Sequence, residues 1–162
     1  MKRILLERRK DALPDKMMYA VSACLIGENC KYSGGNNLHK ELCSFLKDKQ
    51  WIAVCPEVLG GLSIPRECCE IVEQKVISQS GRDCTREYVE GAHKALQQIQ
   101  EANAQVVITQ PRSPSCGCGK IYDGSFQGRL INDNGVFVQL CHQAGIKVVN
   151  VDDFLRKEVK RL

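Results

Sequence analysis

Residues 106 to 124 read VVITQPRSPSCGCGKIYDG, a short apolar run followed by a stretch in which Pro111 to Gly124 carries two cysteines, three glycines, two prolines and two serines. The spacing predicts a strand over Val106 to Thr109 that delivers a glycine-rich loop. A strand ending in such a loop presents backbone N–H groups and nucleophilic side chains at the end of a sheet, where open α/β folds place their chemistry. The rest of the chain is read by what it brings to that loop.

Working outward, Met18 to Ala23 reads as a first buried strand ending at Cys24 and a polar loop. Trp51 to Val54 reads as a second strand, ending in Cys55-Pro56-Glu57, where Pro56 stops the ladder. Between them, Asn36 or Asn37 is expected to cap a helix to about Lys49, with Leu38, Leu42, Phe45 and Leu46 facing inward. Ile71 to Ile77 suggests an extra strand or edge ribbon turning at Ser80-Gly81. Asp83 or Thr85 opens a helix to about Asn103, whose buried stripe is Tyr88, Ala92, Ala95, Leu96 and Ile99; His93 on it is taken as exposed or packed. Past the glycine-rich loop, 121 to 130 reads as a small hairpin or lid. Val136, Phe137, Leu140 and Cys141 fit a helix stopped at Gly145, and Ile146 to Val151 is a last strand before a terminal helix from Asp152. Short apolar strands alternating with amphipathic helices predict an α/β fold with a mostly parallel sheet flanked by helices. The expected division is a charged extension over 1–16 and one α/β domain over 17–162.

The 162 residues, 43% hydrophobic and 26% charged, bound the function classes. A net charge of +4 is mild. Its clusters, Lys2, Arg3, Arg8, Arg9 and Lys10 at one end and Arg156, Lys157, Lys160 and Arg161 at the other, lack interleaved aromatics and read as solvated faces, so no nucleic-acid partner is expected. No apolar run approaches the roughly 20 residues of a membrane span, and Ile4-Leu5-Leu6 is too short and too flanked by charge for a signal peptide. A cytoplasmic protein is expected. In that compartment ten cysteines point to metal binding or thiol chemistry and not to a disulfide framework.

In a parallel sheet all strands point one way, which puts Cys24, Cys55 and Cys116 on one edge. Three thiolates with a fourth, open or non-cysteine position suit a zinc ion or an iron–sulfur cluster with one iron free. Widely spaced loop ligands favour the cluster, because no paired C-x2–4-C knuckles are present. Cys43, Cys84 and Cys141 lie on or near predicted helices and read as packing, while Cys30, Cys68, Cys69 and Cys118 stay open. Glu57 is placed for general acid or base work or as a solvated loop carboxylate. Ser113 and Ser115 suit hydrogen bonding to a ligand or holding the turn around Pro114. Lys31, Tyr32, Asn36, Arg66 and Arg112 share these loops, each alone reading as surface.

AVSACLIGENCKYSGGNN at 20–37, VCPEVLGGLSIPRE at 54–67 and ITQPRSPSCGCGKIYDGSFQGRL at 108–130 together resemble the thiouracil desulfidase family, short cysteine-rich proteins once grouped as a domain of unknown function. The resemblance runs from about Tyr19 to Val151. It implies a Rossmann-like domain, a [4Fe-4S] cluster on Cys24, Cys55 and Cys116, and a small thiolated substrate that loses hydrosulfide by Lewis-acid chemistry without net redox. It also implies that Glu57 of CPE is the acid/base and Ser113 of SPSC a hydrogen-bonding assistant. Lys31 and Ser33 stand where the family commonly has Arg and Asp, and Cys68 and Cys69 where it has Pro and Ala. The rival readings are a zinc- or cluster-binding storage or sensing protein without turnover, and a metal-free thiol or persulfide transferase using Cys116 as nucleophile.

Overall fold

The computed structural model describes residues 17–159. The charged extension expected over 1–16, with its basic cluster, and positions Lys160 and Arg161 lie outside the described residues. The central sheet has four strands in the order β2-β1-β5-β8, formed by β1 (Met18–Ser22), β2 (Gln50–Val54), β5 (Val106–Thr109) and β8 (Lys147–Asn150). All three pairings are parallel, Tyr19 standing beside Trp51 on one side and Val106 on the other. This is the α/β fold with a parallel sheet flanked by helices that the strand and helix alternation predicts.

Alternation along β1 sorts the two cores. Tyr19 and Val21 pack with Leu42 and Leu46 of α1 (Lys40–Leu46) and with Val151, Phe154 and Leu155 of α5 (Val151–Val159). Ala20 and Val107 pack on the opposite face with Ala92, Ala95 and Ile99 of α3 (Thr85–Glu101) and with Phe137 and Cys141 of α4 (Val136–Gln143). All four residues of β5 are buried, as expected for a strand covered on both faces. The chain leaves β1 to pair β2 on one side and returns to pair β5 on the other. Open α/β sheets bind ligands at this reversal, beyond the carboxyl ends of the strands.

Two expectations need correction. The first helix starts at Lys40, not at Asn36 or Asn37, and stops at Leu46. Both asparagines are already engaged: Asn36 Oδ1 accepts from the Leu38 amide at 2.9 Å, and the Asn37 side chain donates to Cys24 Sγ at 3.4 Å. Leu38 is consequently left 51% exposed instead of facing inward. The ribbon near Ile71 is a separate antiparallel hairpin, β3 (Cys69–Val72) and β4 (Lys75–Ser78). It turns at Glu73-Gln74, both left-handed with φ 49° and 67°, and not at Ser80-Gly81. Such primed turns are normally marked by Asn-Gly or Asp-Gly, and neither stands here. The lid is a small hairpin as expected, β6 (Ile121–Tyr122) with β7 (Leu130–Ile131). No helix among the described residues is long and apolar enough to cross a membrane.

Candidate functional site

A cavity of about 470 Å³ opens above the carboxyl ends of the strands, and Cys24, Cys55, Glu57, Ser113 and Cys116 all line it. Cys24 lies in the 3-10 turn Ala23–Ile26 that follows β1. Cys55 is the extended residue between β2 and the short helix α2 (Pro56–Leu59). Proline is tolerated in a first helical turn because its missing N–H would be unpaired there anyway, so Pro56 both ends the strand and starts the turn carrying Glu57. Cys116 sits in the loop after β5, and Ser113 shapes that loop by accepting the Cys116 amide at 2.7 Å and the Ser115 amide at 3.2 Å.

The thiols feel one another. Burial pushes Cys24 up, opposed by the Asn37 amide and reinforced by the negative charge of Cys55 and Glu57. Burial likewise pushes Cys116 well above the ordinary thiol range, with a hydrogen bond from Ser22 opposing and Cys55, Glu57 and Cys24 adding to the rise. Cys55 goes the other way, down to about 7, because Cys30 hydrogen-bonds to it, while Cys30 itself is held protonated by that bond and by burial. Three mutually repelling thiols in a desolvated cavity fit a strongly Lewis-acidic group that takes them as thiolates. Among the described residues no three His, Cys, Asp or Glu side chains close into a cage for one metal ion.

Glu57 is held from two sides. Its Oε1 accepts the Tyr88 hydroxyl at 2.7 Å and Arg66 Nε at 3.3 Å, with the side chains of Arg66 and Glu57 only 6% and 15% exposed. Arg66 also donates to the Cys30 carbonyl at 2.8 Å and the Ser63 carbonyl at 3.2 Å, tying three loops together. Burial and the nearby Glu57 and Cys69 charges push the Tyr88 hydroxyl up, so it stays protonated and donates. Glu57 Oε2 has no hydrogen-bond partner among the described residues, nor does the Ser113 hydroxyl as donor.

Arg66, read alone as a surface side chain, is therefore buried at the centre of the site. Tyr88, read only as part of a packing stripe, reaches the carboxylate, and Cys30 reaches Cys55. The sequence signal for Arg66 was its place in SIPRE, nine residues after Glu57; nothing local marked Tyr88 or Cys30. Cys68, Cys69, Lys31, Tyr32 and Arg112 also line the cavity, whereas Asn36 and Cys118 do not. Cys118 instead points its thiol at the Val148 carbonyl at 3.7 Å. Cys84 and Cys141 are buried in the cores and Cys43 is half-buried, while His93 is exposed.

The open parallel α/β sheet gathers three strand-end thiols and a tethered carboxylate around one crevice. The family model for 2-thiouracil desulfurase matches residues 19–153, and the chain belongs to that family. It is 39% identical over 146 residues to the uncharacterized protein YbbK of Bacillus subtilis (strain 168), covering 84% of this chain and 97% of that one. Among solved structures it resembles TudS, a [4Fe-4S]-dependent thiouracil desulfidase, with a TM-score of 0.81 at 32% identity, over 91% of this chain and all of that one.

Proposed function

We propose that this protein removes sulfur from a thiolated pyrimidine or a similar small thioamide, with a [4Fe-4S] cluster held by Cys24, Cys55 and Cys116. The observation that carries the reading is the convergence of those three thiols with the Glu57–Arg66–Tyr88 assembly on one cavity. In net terms the thiocarbonyl carbon loses sulfur and gains oxygen from water, giving a carbonyl and hydrogen sulfide with no change in electron count. When bound, the cluster supplies a thiophilic Lewis acid that polarises the carbon–sulfur bond.

Glu57 is the group to take a proton from water and return it to substrate nitrogen or departing sulfur. Its Oε1 is fixed by Tyr88 and Arg66, leaving Oε2 for the proton, an arrangement that suits positioned acid–base work. Ser113 has both acceptor positions engaged by backbone amides, so its remaining O–H points its chemistry at a ligand acceptor. The transferase reading is disfavoured because it leaves Cys24 and Cys55, which share the cavity with Cys116, without a role.

Anaerobic reconstitution with iron and sulfide tests the reading. Brown protein holding about four irons, and sulfide release from 2-thiouracil, are expected; colourless protein sinks it. Glu57→Ala should keep the colour and lose turnover by at least about a hundredfold, and Cys116→Ala should lose both.

A further inference from the structure

The hairpin of β6 and β7 contributes Tyr122 and Phe126 to the cavity lining. Phe126 has φ 57°, a left-handed conformation rarely adopted by a bulky side chain. Such a residue persists only where its surroundings over-determine it, and these residues gather at ligand clamps. Here the surroundings are a buried carboxylate. Glu70 on β3, 8% exposed, accepts the Gly124 amide at 3.0 Å and the Phe126 amide at 3.1 Å on the same oxygen. Gly124 lies so close to β3 that a Cβ there would stand 2.7 Å from the Ile71 carbonyl. A buried carboxylate spending one oxygen on two turn amides of another hairpin is a latch, and what it fixes is the backbone that carries Phe126 into the cavity lining.

We propose that Phe126 is a specificity-determining residue that stacks on the ring of a planar heteroaromatic substrate, and that Glu70 is the positioning residue that holds it there. This rests on the desulfuration reading for the chemistry and adds the residues that would hold the substrate ring. Ring–ring contact has a preferred offset geometry, so its worth depends on a fixed ring. The latch supplies a fixed backbone from which that ring is presented.

The test uses the cluster-loaded full chain and two probes, turnover of 2-thiouracil and equilibrium binding of uracil. Phe126→Leu should raise both KM and the uracil Kd about threefold to tenfold, the worth of one aromatic pair, with kcat within about twofold. Phe126→Tyr should restore both. Glu70→Ala should reproduce the Phe126→Leu split and speed hydrogen exchange at the Gly124 and Phe126 amides, and Glu70→Gln, whose amide oxygen still accepts, should fall between. Unchanged KM and Kd in Phe126→Leu, or a loss confined to kcat, overturns the assignment, as does wild-type protein that binds no uracil. If the loaded wild type releases no sulfide from 2-thiouracil but binds uracil, desulfuration fails as a reading while the uracil series still decides the ring contact.

Discussion

Removing the Arg66 guanidinium would leave the Glu57 carboxylate buried beside Cys55 without its counter-charge. Breaking one side of a buried ion pair costs about 3 kcal/mol or more, since the remaining charge stays desolvated. Arg66→Ala is therefore expected to lower the unfolding free energy from urea titration by about 3 kcal/mol, and Arg66→Lys to recover only part, because an ammonium lacks the fork that reaches Glu57, Cys30 and Ser63 together. Tyr88→Phe removes one donor to a charged acceptor, worth about 2 kcal/mol, and should lower kcat while leaving the cluster absorption of the loaded protein intact. Equal stability of wild type and Arg66→Ala would show that water, not Arg66, compensates Glu57. Local sequence marked Cys24, Cys55 and Glu57 because each directly follows an apolar strand or a proline, and Cys116 because it lies between Pro114 and Gly117 in the loop after β5. It could not mark Tyr88, 31 residues from Glu57, since a tyrosine on a helical stripe has the same pattern whether its hydroxyl is partnered or not.

Two elements must touch for that hydrogen bond to exist. Helix α2 carries Glu57 and helix α3 carries Tyr88, and they meet at a pair of glycines. A Cβ on Gly60 would lie 1.9 Å from the Glu87 carbonyl, and one on Gly91 would lie 1.8 Å from the Pro56 carbonyl. Both clashes are with backbone, so no side-chain rotation relieves them. Gly91→Ala should push the two helices apart, costing at least about 1 to 3 kcal/mol as overpacking, and should lower kcat through the Glu57–Tyr88 bond. Gly119→Ala is the wrong control, as Gly119 has φ 90°; Ala102→Gly, at the half-buried C-cap of α3, is the better one, with a Tm close to wild type expected. The element map itself was readable where hydrophobic period and length agreed, as in α3 and β5. It failed at α1, where Asn36 and Asn37 offered a capping signal but spend their side chains on the loop, and at the Glu73-Gln74 turn, whose backbone is set by the pairing of β3 with β4.

At the scale of the molecule, the parallel order followed from alternation of strands and helices, and with it the shared edge of Cys24, Cys55 and Cys116. Which cysteines are structural was less readable, because a thiol on a helix is equally a small hydrophobe or a ligand until its core is known. Cys141 shows the distinction. It is fully buried between α4 and the sheet, and burial alone pushes its thiol from 9.0 up to about 12. Above pH 9 the unfolded chain sheds this proton while the folded chain keeps it, so the folded state binds more protons and stability falls as pH rises. The contribution is fully present below pH 9 and is lost progressively between 9 and about 12, at about 1.4 kcal/mol per pH unit for one proton. Cys141→Ala removes that proton from the difference at the cost of a small cavity that does not depend on pH. Urea unfolding of cluster-free wild type and Cys141→Ala at pH 8, 9.5 and 10.5 separates the two effects. The variant should be less stable at pH 8 and should close the gap as pH rises, whereas parallel curves would mean that Cys141 ionises in the folded protein as readily as in the unfolded chain.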